Sequence, residues 1–303
     1  MVRWILEPGL FSNGTVRTAL LLGALVSVVS GVVGIFTVLR GQSFAGHALT
    51  DVATAGGSGA ALASLSPLLG FIGGGVIGAG AMDAIGVQRV KDRDVATGVV
   101  LGAATGLSAL FLYLITLQTS TTGSTQSILF GSIFTVGPST LPDVALLSVV
   151  VLVGVMVIRR PLLMGSISPE LAAARGVRLR MVGIAFMVML AAAVGLSAIA
   201  IGSILSTALL IGPPASALKV VSRLSHAVVL ASVLGVMATW LGIVFAYDSY
   251  YWFGSGRGLP VSFFVVADVL VEFVAVNLVA RRRRLRVVEE PATTAMPEQV
   301  GWI

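Results

Sequence analysis

At 303 residues, 56% hydrophobic and only 11% charged, with a mean hydropathy of +1.02, the chain cannot coat a water-soluble globule. Soluble domains carry about 25% charged residues, so lipid must be the solvent for most of this surface. The net charge of +6 sits in short segments between apolar runs, which argues against a nucleic-acid footprint, and the lack of cysteine excludes disulfides and thiolate metal sites. A transition metal is left with His, carboxylate, carbonyl, water or the thioethers of nine methionines.

In chain order the apolar runs predict nine membrane segments, at 18–39, 44–66, 68–87, 95–117, 128–158, 181–198, 200–218, 227–247 and 260–280. No cleavable signal peptide is evident ahead of the first. Thr18 to Leu39 and Val182 to Leu218 hold no ionisable residue. The segment 128–158 is expected to be broken, because Pro138 and Pro142 cannot share one straight helix. Residues 128–137 then read as a half-helix or re-entrant piece before a crossing at 140–158, buried in protein or lining a cavity. The Pro213-Pro214 pair is expected to break its helix in the same way. Gly70, Gly74 and Gly78 have the small-xxx-small spacing of a close helix contact, within the chain or between subunits.

Placing Arg40, Arg89, Lys91, Arg93, Arg159, Arg160, Arg175, Arg178, Arg180, Lys219, Arg223, Arg281 to Arg284 and Arg286 on one side leaves only Arg3, Arg17 and Arg257 opposite. The basic side is cytoplasmic by the positive-inside rule, so the C-terminus is expected inside and, with nine crossings, the N-terminus outside. The expected organisation is one transmembrane domain, 1–286, followed by a mobile cytoplasmic tail, 287–303, with two prolines and clustered acids.

Few residues can carry chemistry. The chain has no phosphate-binding loop, its only lysines are Lys91 and Lys219, and no nucleophile–base arrangement is present, so an enzyme is not expected. His47 and Asp51 stand at i and i+4, so one helix face can present imidazole and carboxylate to a cation or let them bond each other. Asp268 and Glu272 repeat that spacing in the last segment and read as pathway or structural carboxylates. His226, near Lys219 and Arg223, reads as a solvated loop residue. Ser168 to Gly176 reads as a short helix with Ser168 as N-cap, Pro169 at the first position, Glu170 in the first turn and Gly176 at the end, a docking element or a connector.

Several stretches together resemble the permease family of metal-ion ABC importers, which serves manganese, zinc and iron. SPELAAARGV (168–177) is similar to its cytoplasmic coupling segment DPExAxxxGv, and GSILSTALLIGPPASA (202–217) to its GxLLxSALLxxPAAxA helix. LFGSIFTV (129–136), KDRDVATGVV (91–100) and LRGQSFAGHALTDVATAGG (39–57) match further stretches. In the family pattern of that last stretch Asp comes first and His four residues later. Here the order is inverted, and the Pro of its LPG is Ala55.

The resemblance implies an all-α bundle of eight or nine spans with broken helices, in the architecture of the vitamin B12 importer-like permeases. It implies import of a divalent metal ion, manganese or zinc first and iron third, with no permanently bound cofactor. The expected partners are two cytoplasmic ATP-binding subunits, a second permease copy or paralogue, an extracellular metal-binding lipoprotein and membrane lipid. His47 and Asp51 would contact the ion. Ser168, Pro169, Glu170, Arg175 and Gly176 would meet the ATPase. The rival reading is an ion-coupled secondary transporter using Asp268 and Glu272.

Overall fold

The computed structural model describes residues 10–85, 93–120, 123–131, 133, 134, 136–252 and 258–289. Arg3, Arg89, Lys91, Arg257 and the segment 290–303, on which parts of the topology and tail expectations fall, lie outside the described residues. Every regular element among those described is helical, as the composition requires, since a helix satisfies its backbone without water.

The helices are α1 (Gly14–Leu39), α2 (Ser43–Leu62), α3 (Pro67–Ile85), α4 (Arg93–Thr119), α5 (Gly123–Phe130), α6 (Leu141–Ile167), α7 (Pro169–Ala174), α8 (Leu179–Ile201), α9 (Ser203–Val220), α10 (Leu224–Trp252) and α11 (Val261–Glu289). The nine expected segments are found in order, but the half-helix expected at 128–137 lies earlier, as α5 at Gly123–Phe130, and the described residues from Gly131 to Gly137 are not helical before α6 begins at Leu141. Among the described residues, seven helices (α1, α3, α4, α6, α8, α10 and α11) are long and apolar enough to cross a membrane. The other two are α2, whose Ala, Gly and Thr content lowers its hydropathy, and α9, whose apolar part is only Leu205–Val220. Several ends differ from expectation. α6 runs through Arg159, Arg160 and Pro161 to Ile167, α10 extends to Trp252, and α11 extends to Glu289, so the first three residues of the expected tail are helical.

α1 and α8 form the centre, each 72% buried over its apolar span, against 22% for α4 and α6 and 11% for α11. α1 packs on α6, α8, α9 and α10, and α8 packs on α2, α3 and α6. Hydroxyl pairs cross this centre, Ser30 to Ser197 at 2.8 Å and Ser27 to Thr239 at 2.7 Å, so these four buried hydroxyls are satisfied within the protein. The Gly70, Gly74 and Gly78 stripe packs within the chain. A Cβ on Gly74 would stand 2.7 Å from the Gly56 Cα, and one on Gly78 would stand 2.5 Å from Val52 Cγ1, so α3 lies backbone to backbone on α2.

The expected helix break at Pro213 and Pro214 does not occur. Both lie inside α9, which runs unbroken from Ser203 to Val220. Each proline removes one backbone donor, and a neighbouring helix tolerates the loss by packing closely there. Gly34 of α1 does so: a Cβ on it would collide with the Leu210 carbonyl oxygen and the Pro214 ring. The interruption falls instead at Gly202, between α8 and α9, with φ +84° and ψ 159°. Gly131, just after α5, also has positive φ, +77°. The two glycines touch through backbone, since a Cβ on Gly131 would lie 2.5 Å from Gly202 N. The half-helix α5 is thus docked on the α8–α9 break.

Candidate functional site

α2 begins directly after the turn Arg40–Gln42, in which Gly41 has φ +61° and the Arg40 Nε donates to Gln42 Oε1 at 3.1 Å. Its sequence SFAGHALTDVATAGGSGAAL is small on most faces, which brings α3, α4, α8 and α9 close around it. His47 and Asp51 are both half-buried, one turn apart, and bond to different helices. His47 Nδ1 lies 3.1 Å from Thr207 Oγ1 on α9. The Asp51 Oδ2 accepts from Thr105 Oγ1 on α4 at 2.6 Å, and the Asp51 carbonyl accepts from Ser108 Oγ at 3.2 Å. The bland alternative, a direct His47–Asp51 hydrogen bond, is not what the side chains make.

Among the described residues, no group of three or more His, Asp or Glu gathers that could hold a metal ion. α2 thus carries two ligand-type side chains one turn apart, each bonded to a hydroxyl of a different helix. That suits a passing ion better than a resident one, since a structural site needs a closed shell.

Asp268 and Glu272 are elsewhere, on α11, which packs on α9 and α10. Asp268 Oδ2 and Glu272 Oε2 are enclosed by protein and have no hydrogen-bond partner. His226, expected in a loop, lies in the first turn of α10.

The segment 168–176 folds as read. Ser168 Oγ accepts from Leu171 N at 3.3 Å, Pro169 opens α7, and Gly176 closes it with φ +77°. Val177 N donates to the Ala172 carbonyl and Gly176 N to the Ala173 carbonyl, which is the Schellman arrangement. Ala172 is buried while Glu170, Leu171 and Arg175 are exposed, so a rigid knob presents one apolar and two charged side chains outward. Beside it opens a cavity of about 470 Å³ lined by Arg40, Asp83, Pro161, Gly165, Pro169 and Arg180. Arg180 bridges to Asp83 at 3.2 Å. At the end of α9, Lys219 bonds Asn277 and covers the Phe273 ring at 4.4 Å, both in the middle of α11.

Sequence reasoning passed over Thr50, Thr105, Ser108 and Thr207. The i, i+4 stripe Thr50, Thr54, Ser58 was a signal, because hydroxyls repeating on one face of a membrane helix rarely face lipid. Thr207 was legible as the residue at the Ser position of the 202–217 stretch.

A bundle of long apolar helices, interrupted where Gly131 meets Gly202 and holding polar side chains inside it, defines a polytopic membrane protein. The chain belongs to the ABC 3 transport family, which matches residues 12–274. It is 32% identical over 243 residues to the manganese transport system membrane protein MntC of Listeria innocua, covering 79% of this chain and 84% of that one. It is 26% identical to the probable iron transport system membrane protein of Haemophilus influenzae, covering 88% and 97%. Among solved structures, PsaBC from Streptococcus pneumoniae in complex with Fab superposes with a TM-score of 0.79 at 24% identity, covering 93% of this chain and 98% of that one.

Proposed function

We propose that this chain is the permease subunit of an ATP-driven importer of a divalent transition metal, manganese foremost, with zinc and iron as the other candidates. The observation that carries it is the His47–Asp51 pair, held from α9 and α4. Imidazole and carboxylate together suit manganese, zinc and iron(II) and disfavour copper(I). Two ligands bind weakly enough to release the ion, and a second permease copy or backbone carbonyls complete the shell. Membership of the ABC 3 transport family and the manganese and iron relatives support the same substrate class.

Two cytoplasmic ATP-binding subunits dock on α7, and closure of that pair moves α6 and α8, which flank the knob. An extracellular metal-binding lipoprotein delivers the ion. The membrane is the bacterial plasma membrane, with the Arg40–Arg180 cavity, α7 and the C-terminus on the cytoplasmic side. The test is metal uptake into proteoliposomes holding the permease with its ATPase. Uptake should require both ATP and the ATPase. Uptake driven by an ion gradient without ATP would instead establish a secondary transporter.

A further inference from the structure

The hydrogen bonds around His47 form a chain whose direction can be counted. Thr50 Oγ1 donates to the Gly46 carbonyl at 3.0 Å, which uses its only hydrogen. Thr50 Oγ1 also lies 3.3 Å from Thr207 Oγ1, so in that contact Thr50 accepts and Thr207 donates. The hydrogen of Thr207 is then spent, and Thr207 Oγ1 can only accept from His47 Nδ1, 3.1 Å away. The reverse direction would leave Thr50 with two donor roles and one hydrogen. Nε2 has no hydrogen-bond partner among the described residues.

We propose that this one-way relay, from His47 Nδ1–H to Thr207, Thr50 and the Gly46 carbonyl, fixes the tautomer of His47 and leaves the Nε2 lone pair free to bind a divalent ion. The proposal rests on the reading of His47 as a contact of the transported metal. A metal takes a bare imidazole nitrogen, and the hydrogen bond at the other nitrogen decides which one is bare. Thr207 and Thr50 are therefore positioning residues. Their grip spans two helices, since Thr207 belongs to α9 and Thr50 to α2, so displacing α9 from α2 releases the ring. Asp51 is held independently, by Thr105 on α4.

The chain has only two histidines, His47 and His226, so nitrogen spectra of the full-length protein are simple to assign. The protein is labelled with ¹⁵N-histidine in lipid nanodiscs with its ATPase, and His226→Gln leaves one ring to observe. The expected spectrum is a single Nδ1–H tautomer, with zinc, a diamagnetic probe, shifting Nε2 alone. Thr207→Val should yield mixed tautomers and raise the metal concentration for half-maximal uptake about tenfold or more, with little change in maximal rate. Thr207→Ser should restore both.

The sharper variant is Thr50→Val, at a residue whose hydroxyl makes no hydrogen bond to the ring. Without its acceptor, Thr207 is free to donate to Nδ1, and His47 should flip to the Nε2–H form. An Nε2–H ring in the unmodified protein, or an unchanged tautomer in both valine variants, overturns the relay. Full uptake by His47→Ala removes the metal reading instead, and the spectrum of the unmodified protein judges the relay separately.

Discussion

His47 and Asp51 are one turn apart, yet what each does is set by a residue far away in the chain. If the half-buried ring and carboxylate contact the ion, as proposed, replacing either with Ala should abolish metal uptake while leaving the complex assembled on size-exclusion chromatography. The exchange His47→Asp with Asp51→His restores the order of the family pattern and should retain partial uptake. It keeps the two chemistries on one face but mismatches them with Thr207 and Thr105. Unimpaired uptake in both Ala variants would remove these residues from the pathway. Asp268 and Glu272 call for a different experiment. Each has an enclosed oxygen without a partner, and a charged carboxylate at bilayer depth costs about 2.5–3.5 kcal/mol on insertion scales. Asp268→Asn and Glu272→Gln should therefore leave the thermal midpoint of the complex unchanged or raised. A drop in uptake with stability intact would assign them to conduction.

Three positive-φ glycines separate backbone strain from crowding at the scale of the element. Gly202 adopts φ +84°, ψ 159°, a region essentially reserved for glycine, and its missing Cβ is where the Gly131 backbone passes. Gly202→Ala adds a collision between two main chains to about 1–3 kcal/mol of strain, and should prevent assembly of the α5–α8–α9 junction. Gly176 has a similar φ, +77°, but a Cβ there would meet nothing within 4 Å. Gly176→Ala should cost only about 1–2 kcal/mol, and Ser168→Ala about 1 kcal/mol through the lost cap, both read as shifts in the melting of the complex. Glu170→Lys lies on the exposed side of α7. It should fold normally and lose stimulated ATP hydrolysis if the knob meets the ATPase, whereas normal stimulation would make α7 a connector.

Over the whole molecule, the distribution of burial divides the bundle into a centre and a rim. α1 and α8 are enclosed, while α4, α6 and α11 expose long apolar faces to lipid or to another subunit. If His47 and Asp51 contact the ion, as proposed, one copy supplies only two ligands and the shell needs a second. The purified complex should accordingly contain two permease chains and two ATPase chains by mass, and a single permease chain in an active complex would be incompatible with a shared site. The Arg180–Asp83 bridge is a weak element on this scale. The Arg180 side chain is 77% exposed and that of Asp83 only 7%, so Asp83→Asn leaves the arginine in water and should change stability by about 1 kcal/mol or less.

Hydropathy and the placement of Arg and Lys determined the all-helical membrane class and the order of nine segments, because the lipid solvent acts on each segment separately. The same locality made the α7 cap and closure, Ser168 to Gly176, legible residue by residue. Pro213-Pro214 and Gly202 show where locality ends. The proline pair predicted a break that α1 prevents by bringing Gly34 against Leu210, and the real interruption lies where Gly131 meets Gly202, across a gap in sequence that no local pattern reports. The spacing of His47 and Asp51 placed an imidazole and a carboxylate one turn apart on one helix. Only the tertiary structure decided that they turn to different neighbours, Thr207 and Thr105, since a buried polar group takes whichever hydroxyl the packing of α9 and α4 brings within about 3 Å.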